Sequence, residues 1–193
     1  MKIGVLALQG SFAEHIDSLK GLKIDCLPVR KADELDAVDG LILPGGESTT
    51  IGRLARLYGL DQKIKARAAE GMPVYGTCAG MILLAREISS GEPAHLGLMD
   101  ITVTRNASGR QVDSYEVDLP VPPLGDKPFR AVFIRAPYVD RVGEGVQVLA
   151  CVHDKPVFVR QGQFLASAFH PELTDDRRVH AYFAEMVEEF LGR

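Results

Sequence analysis

No stretch of this sequence approaches the roughly 20 consecutive apolar residues that a membrane-crossing helix needs, so no membrane role is expected. There is no basic block, and the net charge is −4, which argues against a nucleic-acid-binding surface. The three cysteines, Cys26, Cys78 and Cys151, are odd in number and widely spaced, with no C-x-x-C among them. Neither a redox motif nor a zinc knuckle is on offer, and nowhere do ligating side chains cluster densely enough for a metal. Internal repeats and low-complexity segments are absent. Asparagine occurs once, and 14 arginines stand against eight lysines, a bias that points toward a thermophile or a GC-rich genome.

What is present is a chain of 193 residues, 46% hydrophobic, suited to one domain spanning 1–193 with a sizeable core. The opening MKIGVLALQG has one lysine and a short apolar run that Gln9 and Gly10 end early. It reads as a first core strand rather than a signal peptide, which places the protein in the cytoplasm with its cysteines reduced. Cys26 and Cys151 fall in strand-like segments and are read as structural. Asn106-Ala107-Ser108 matches a glycosylation acceptor, which means nothing without a secretory route.

Strand and helix signals alternate through the first half. Strands are expected at 2–9, 24–29, 40–46 and 73–77. Ser11-Phe12-Ala13-Glu14 reads as a capping box opening a helix that carries Ile16, Leu19 and Leu22. A short polar helix is expected near 33–38, a helical region over 49–70 with Gly59 as a break, and a helix over 79–87. Beyond residue 98 come short strands joined by Gly, Pro and Asp turns, then a final helix with Val179, Phe183, Met186, Val187 and Phe190 on one face. The expected fold is α/β and three-layered: a mostly parallel central sheet with helices on both faces, and a β-rich second half.

The chemistry centres on Val74-Tyr75-Gly76-Thr77-Cys78-Ala79-Gly80. This G-x-C-x-G run between an apolar strand and an apolar helix has the nucleophile-elbow spacing, with sulfur in place of a serine oxygen. Its glycines permit the tight turn that projects Cys78. The plainer reading is a buried cysteine beside helix-packing glycines. A nucleophile needs a base and an orienter. His170 ends the strand-like FLASAF, and Glu172 follows two residues on, on the same face if the chain is extended. Pro171 biases His170 toward that extended backbone. The order Cys78, His170, Glu172 fits triad logic; alone, His170 would read as an ordinary strand-end histidine.

Pro44-Gly45-Gly46-Glu47-Ser48-Thr49-Thr50 places a glycine pair at a strand end before a helix. The lysine of a phosphate loop is missing, and an oxyanion hole fits better. Gly46 and Ala79 would supply the N–H donors.

Together these pieces resemble the class I, triad-type glutamine amidotransferases, with their flavodoxin-like sheet. The resemblance is nearest to the vitamin B6 branch, the glutaminase subunits of bacterial pyridoxal 5′-phosphate (PLP) synthase. It runs through GVLALQG, LILPGGESTTIGRL, VYGTCAGMILLA, GLMDITVTRN, GRQVDSYE, FIRAPYV and FHPELTDD, nearly the whole chain. One departure is Ser108, where the family often has an aromatic before GRQ. The resemblance implies Cys78 as nucleophile, His170 as base and later acid, and Glu172 as orienter. It implies that glutamine is held by Gly46, Glu47, Ser48, Arg105, Ile134 and Arg135. An arginine suits an α-carboxylate and Glu47 an α-ammonium; by themselves Arg105 and Arg135 would read as solvated strand-edge charges.

The implied reaction hydrolyses L-glutamine through a γ-glutamyl thioester and passes ammonia to a synthase subunit, within a large hetero-oligomer built on a dodecameric synthase core. No metal or cofactor is required. Activation on assembly is also implied, and rotation of the Gly45–Gly46 peptide is a candidate gate, with Gln9 a candidate sensor of docking. Two rivals stay open: a stand-alone elbow-cysteine γ-glutamyl hydrolase, and a non-enzymatic scaffold or sensor.

Overall fold

The computed structural model describes residues 1–105 and 114–192. Ser108, the Asn106-Ala107-Ser108 acceptor and the Gly109-Arg110-Gln111 motif lie outside the described residues. Strands β1 (Lys2–Leu6), β2 (Asp25–Val29), β3 (Gly40–Leu43) and β4 (Val74–Thr77) alternate with helices α1 (Phe12–Gly21), α2 (Ser48–Leu57) and α3 (Leu60–Ala69). A six-residue 3₁₀ helix, Ala32–Ala37, stands where the short polar helix was expected. Gly59, at φ +68°, separates α2 from α3.

After the elbow the structure departs from expectation. Helix α4 covers only Ala79–Leu84, and the chain continues as strand β5, Ala85–Ile88. The second half is strand-rich: β6 (Met99–Thr104), β7 (Ser114–Leu119), β8 (Phe129–Ile134), β9 (Tyr138–Val142), β10 (Gln147–Val152), β11 (Lys155–Gln161) and β12 (Phe164–Ser167), followed by helix α5 (Arg178–Phe190). Strand β9 was not anticipated.

The main sheet has seven strands in the order β10-β11-β12-β4-β3-β1-β2. From β12 through β2 every pairing is parallel, and β10 and β11 extend that sheet antiparallel. Helices cover both faces, as two successive residues of β4 show, since adjacent strand residues point to opposite sides. The Tyr75 ring lies 5.6 Å from that of Phe183 on α5. A Cβ on Gly76 would instead stand 2.4 Å from the backbone of Gly80 on α4. The expected three-layer α/β architecture is therefore the one found. Two smaller sheets, β5-β6-β9 and the β7-β8 hairpin, complete the fold. Among the described residues no helix is long and apolar enough to cross a membrane.

Two features of this core fix the site. First, β12 lies beside β4 with Ser167 opposite Thr77, so the chain segments ending in Cys78 and His170 emerge from neighbouring strands at the same end of the sheet. Secondly, Phe169 is fully buried among Phe129, Phe133 and Phe158, with ring centroids 5.5 to 5.8 Å away. Such aromatic pairs contribute about 0.5–1.5 kcal/mol each beyond their buried area. They anchor the residue immediately before His170, and the His170 N–H adds a 2.8 Å bond to the Val132 carbonyl of β8.

Candidate active site

Cys78 sits between β4 and α4 with φ 48° and ψ −103°, a left-handed conformation that costs a non-glycine residue about 1–3 kcal/mol. The surroundings impose it. The Cys78 N–H donates to the Ser167 carbonyl at 2.8 Å. On the helix side, a Cβ on Gly80 would stand 2.1 Å from the Leu43 carbonyl oxygen, so only glycine lets α4 approach β3 this closely. The G-x-C-x-G run thus forms a tight strand-to-helix turn with Cys78 at its corner.

His170 and Glu172 follow β12, Glu172 lying in a one-turn 3₁₀ segment, Pro171–Leu173, rather than in extended chain. The same-face relation expected from a spacing of two is achieved by this tight turn. His170 Nδ1 and Glu172 Oε1 are 2.7 Å apart. Burial alone would lower the His170 pKa, but hydrogen bonding to Cys78 and Glu172 and the charges of both raise it to about 10. Burial pushes the Glu172 carboxyl up, and the facing His15 and His170 outweigh it and hold the group down at about 2. An ionised carboxylate behind a protonatable ring is the electrostatic arrangement of a base with its orienter.

In front of these groups opens a cavity of about 730 Å³, of a size that suits a small molecule. Of the residues singled out in the sequence, Gln9, Gly46, Glu47, Ser48, Cys78, Ala79, Arg105, Ile134, Arg135 and His170 all line it. Glu172 stands behind His170. The Ser48 hydroxyl is buried and has no hydrogen-bond partner among the described residues, an unusual state for a buried polar group and one that a ligand would relieve. Arg135 is held at φ 42°, and the preceding Ile134 carbonyl lies 3.9 Å from Cys78 Sγ. Arg105 is already engaged: its guanidinium pairs with Glu92 at 2.5 Å and donates to Thr49 Oγ1 at 3.2 Å.

The Gly45–Gly46 loop is interlocked with the end of β1. The Ser11 N–H donates to the Gly45 carbonyl at 3.0 Å, and the Glu47 N–H donates to Gln9 Oε1 at 2.8 Å. Gln9 is therefore bonded directly to the loop that carries Gly46.

Two sequence expectations are corrected here. Ser11 makes no capping bond to α1; its hydroxyl donates to Glu172 Oε1 at 2.7 Å, because a buried carboxylate is a stronger acceptor than the backbone alternatives are donors. Cys151 is exposed on β10 rather than buried, while Cys26 is half-buried and burial pushes its thiol pKa up.

Sequence reasoning missed His15, Thr77 and His180, all fully buried behind the carboxylate. A signal existed. His15 shares the inner face of α1 with Ser18 and Leu19, and His180 that of α5 with Phe183 and Val187. A histidine at an apolar helical position needs a polar partner inside.

The family model of the SNO glutamine amidotransferase family matches residues 5–189. A protein of Carboxydothermus hydrogenoformans called pyridoxal 5′-phosphate synthase subunit PdxT is 56% identical over 187 residues, covering 97% of this chain and 98% of its own. A protein of the same name from Herpetosiphon aurantiacus is 59% identical over 188 residues, covering 95% and 98%. A crystal structure of a glutamine amidotransferase superposes with a TM-score of 0.91 at 54% identity, over 96% of this chain and 98% of that one.

Proposed function

The chain belongs to the SNO glutamine amidotransferase family, and from that premise we propose that it is the glutaminase subunit of PLP synthase, working through a Cys78-His170-Glu172 triad. Relatives bearing the PLP synthase subunit name cover nearly its full length. The reading takes residues 1–193 as one glutaminase domain. The observation that carries the triad is the 2.7 Å pairing of His170 with Glu172 directly beside a strained elbow cysteine that faces the cavity.

In this mechanism glutamine lies in the cavity, its α-carboxylate toward Arg105 and its α-ammonium toward Glu47. Gly46, Ser48, Ile134 and Arg135 complete the pocket. His170, protonated near neutral pH, holds the proton that Cys78 has given up, and the sulfur attacks the side-chain amide carbon. Charge collects on the amide oxygen, where the N–H groups of Gly46 and Ala79 stabilise it; loss of one such donor typically costs about 10²–10³ in rate. The C–N bond breaks, ammonia leaves with a proton from His170, and a γ-glutamyl thioester remains. Water, deprotonated by His170, attacks the thioester, and glutamate departs as the thiol recovers its proton. Glu172 holds the ring in the tautomer that can accept at the nitrogen facing sulfur and stabilises the imidazolium. Ammonia passes to the synthase subunit, and PLP is the product of the complex. The protein works in the cytoplasm within a large hetero-oligomer, on a dodecameric synthase core if it follows its family.

The Gln9–Glu47 bond supports a role for Gln9 in sensing the docked synthase. It joins the end of β1 to the loop that would complete the oxyanion hole.

The test is exposure to an electrophilic glutamine analogue, with mass spectrometry of each cysteine, alongside ammonia release with and without the cognate synthase. Stoichiometric labelling confined to Cys78, and ammonia release stimulated by the partner, are expected. Equal turnover with and without the partner would favour a stand-alone γ-glutamyl hydrolase. No labelling under either condition would favour a scaffold.

A further inference from the structure

Glu172 has two oxygens, and only one is accounted for by the triad and Ser11. Oε1 receives both Ser11 Oγ and His170 Nδ1, each at 2.7 Å. Oε2 is buried and has no hydrogen bond within the usual limits among the described residues. The group nearest it is His15 Nε2 at 3.5 Å, which also lies 3.1 Å from Thr77 Oγ1. On the other side of the same ring, His15 Nδ1 stands 2.9 Å from His180 Nε2. Both rings are fully buried. An unbroken row therefore runs from α5 through α1 to the carboxylate.

We propose that His15 is a positioning residue for Glu172: its Nε2–H, forked between Thr77 Oγ1 and Glu172 Oε2, aims a neutral donor at the free carboxylate oxygen, and His180 Nε2–H fixes that tautomer. The inference rests on the triad reading, because it matters to catalysis only if Glu172 orients His170.

The tautomers follow from accounting for each nitrogen. If His15 carried its proton on Nδ1, its bare Nε2 lone pair would face the carboxylate. His180 would then have to accept at Nε2 and carry its own proton on Nδ1, and Nδ1 of His180 is buried without a partner among the described residues. That arrangement combines a repulsion with a stranded N–H donor. With Nε2–H on both rings, the lone pair of His180 Nδ1 is the group left unpaired, a smaller penalty than a stranded donor, and every donor in the row points toward Glu172. The rings also stay neutral. Burial is the main cause lowering the pKa of both, and that of His180 falls to about 3.

Neutrality is what makes the row useful. A lysine or arginine behind Glu172 would cancel the carboxylate charge and weaken its support for a His170 imidazolium. A neutral N–H instead steers the second oxygen and leaves the charge in place, as outer partners of catalytic and metal-binding groups do. The charged and titratable groups around the row are Glu14 on α1, Arg177 and His180 at α5, Tyr75 on β4, Cys78 at the elbow and His170 itself. None of them replaces the donor at Oε2.

The test has two arms. In the purified chain at pH 7, ¹⁵N-histidine NMR should show His15 and His180 neutral with the proton on Nε2. A proton on Nδ1 of His15, or an imidazolium there, overturns the proposal, and this readout does not depend on glutaminase activity. In the complex with the cognate synthase, His15→Leu should lower kcat about tenfold and move the acid limb of kcat/KM upward by half a pH unit or more. His15→Gln, whose amide places an N–H near the same point, should keep the limb at its wild-type position. A folded His15→Leu variant with an unmoved limb would overturn the positioning role. A wild-type complex without glutaminase activity would sink the triad reading instead, while the tautomer measurement still decides the row.

Discussion

A Cβ on Gly45 would stand 2.5 Å from Cε1 of His170 and 3.5 Å from Cβ of Cys78. The proposed base is thus packed against bare backbone of the loop before α2, with no room for a side chain at Gly45. Gly45→Ala should push the ring away from sulfur. A misplacement of about 1 Å costs on the order of 10² in rate, and overpacking of this kind about 1–3 kcal/mol in stability. Turnover and a denaturant melt check both; a variant at wild-type kcat would mean the ring is not held by this contact.

Glu172→Gln keeps the shape of the proposed orienter and removes its charge. Its amide can also present a donor to Nδ1 and favour the wrong tautomer of His170. Turnover should fall by roughly 10²–10⁴, with KM for glutamine within about twofold, since the group acts on the transition state. A defect confined to KM would make Glu172 a substrate ligand.

The His170 pKa is raised from the usual 6.5 of a free imidazole to about 10 in the folded protein. The stability that a raised pKa confers is fully present below the unfolded value and is lost as pH climbs through the folded one. The stability gap between wild type and His170→Gln should therefore narrow as pH rises from 6.5 to 10. Glu172 behaves oppositely: its depressed pKa confers stability above 4.5 that is lost as pH falls toward about 2. Urea titrations across pH 2–10 test both, and a gap that widens between pH 6.5 and 10 would contradict the assignment of His170.

Arg105 meets Glu92 where a substrate carboxylate is expected. Glutamine would then have to displace an internal carboxylate, and exposed pairs of this kind are worth about 0.2–1 kcal/mol. Glu92→Gln should lower KM by up to about fivefold and change kcat little, measured by steady-state ammonia release with the synthase present. An unchanged KM would place the substrate carboxylate elsewhere.

The elements most legible in the sequence were those with one strong local cause. The glycines at 76 and 80 mark the tight, closely packed turn expected of them, and a side chain at either of them, or at Gly45 or Gly46, would meet a neighbour at 2.5 Å or less. The alternation of short apolar strands with helices announced the parallel sheet. Strand β5 was hidden because Met81–Leu84 is apolar on every side, giving no period by which to see the helix end. Strand β9 was hidden by Pro137, Asp140 and Arg141 in an edge segment whose second half is exposed. Ser11 misled for another reason. Its local pattern is a capping box, and only a partner 161 residues away diverts the hydroxyl. His15 and His180 were visible as histidines on apolar faces, but nothing in one dimension says that they meet.

The conformation of Cys78 depends on strand β12, which arrives late in the chain. Tyr75 hydroxyl to Ser167 hydroxyl, at 2.8 Å, spans 92 residues of sequence, and the bond from Cys78 N–H to Ser167 spans nearly as many. Parallel pairing across such a separation is slow to form, because loop closure must precede any gain from contact. Until β12 slots between β4 and β11, the elbow has no carbonyl to hold its strained turn and the cysteine relaxes to an ordinary backbone. A partly folded chain would then have its α1–β3 half in place and yet carry an unarmed thiol. During refolding, reactivity toward the glutamine analogue should therefore report the insertion of β12 and lag behind the helical signal.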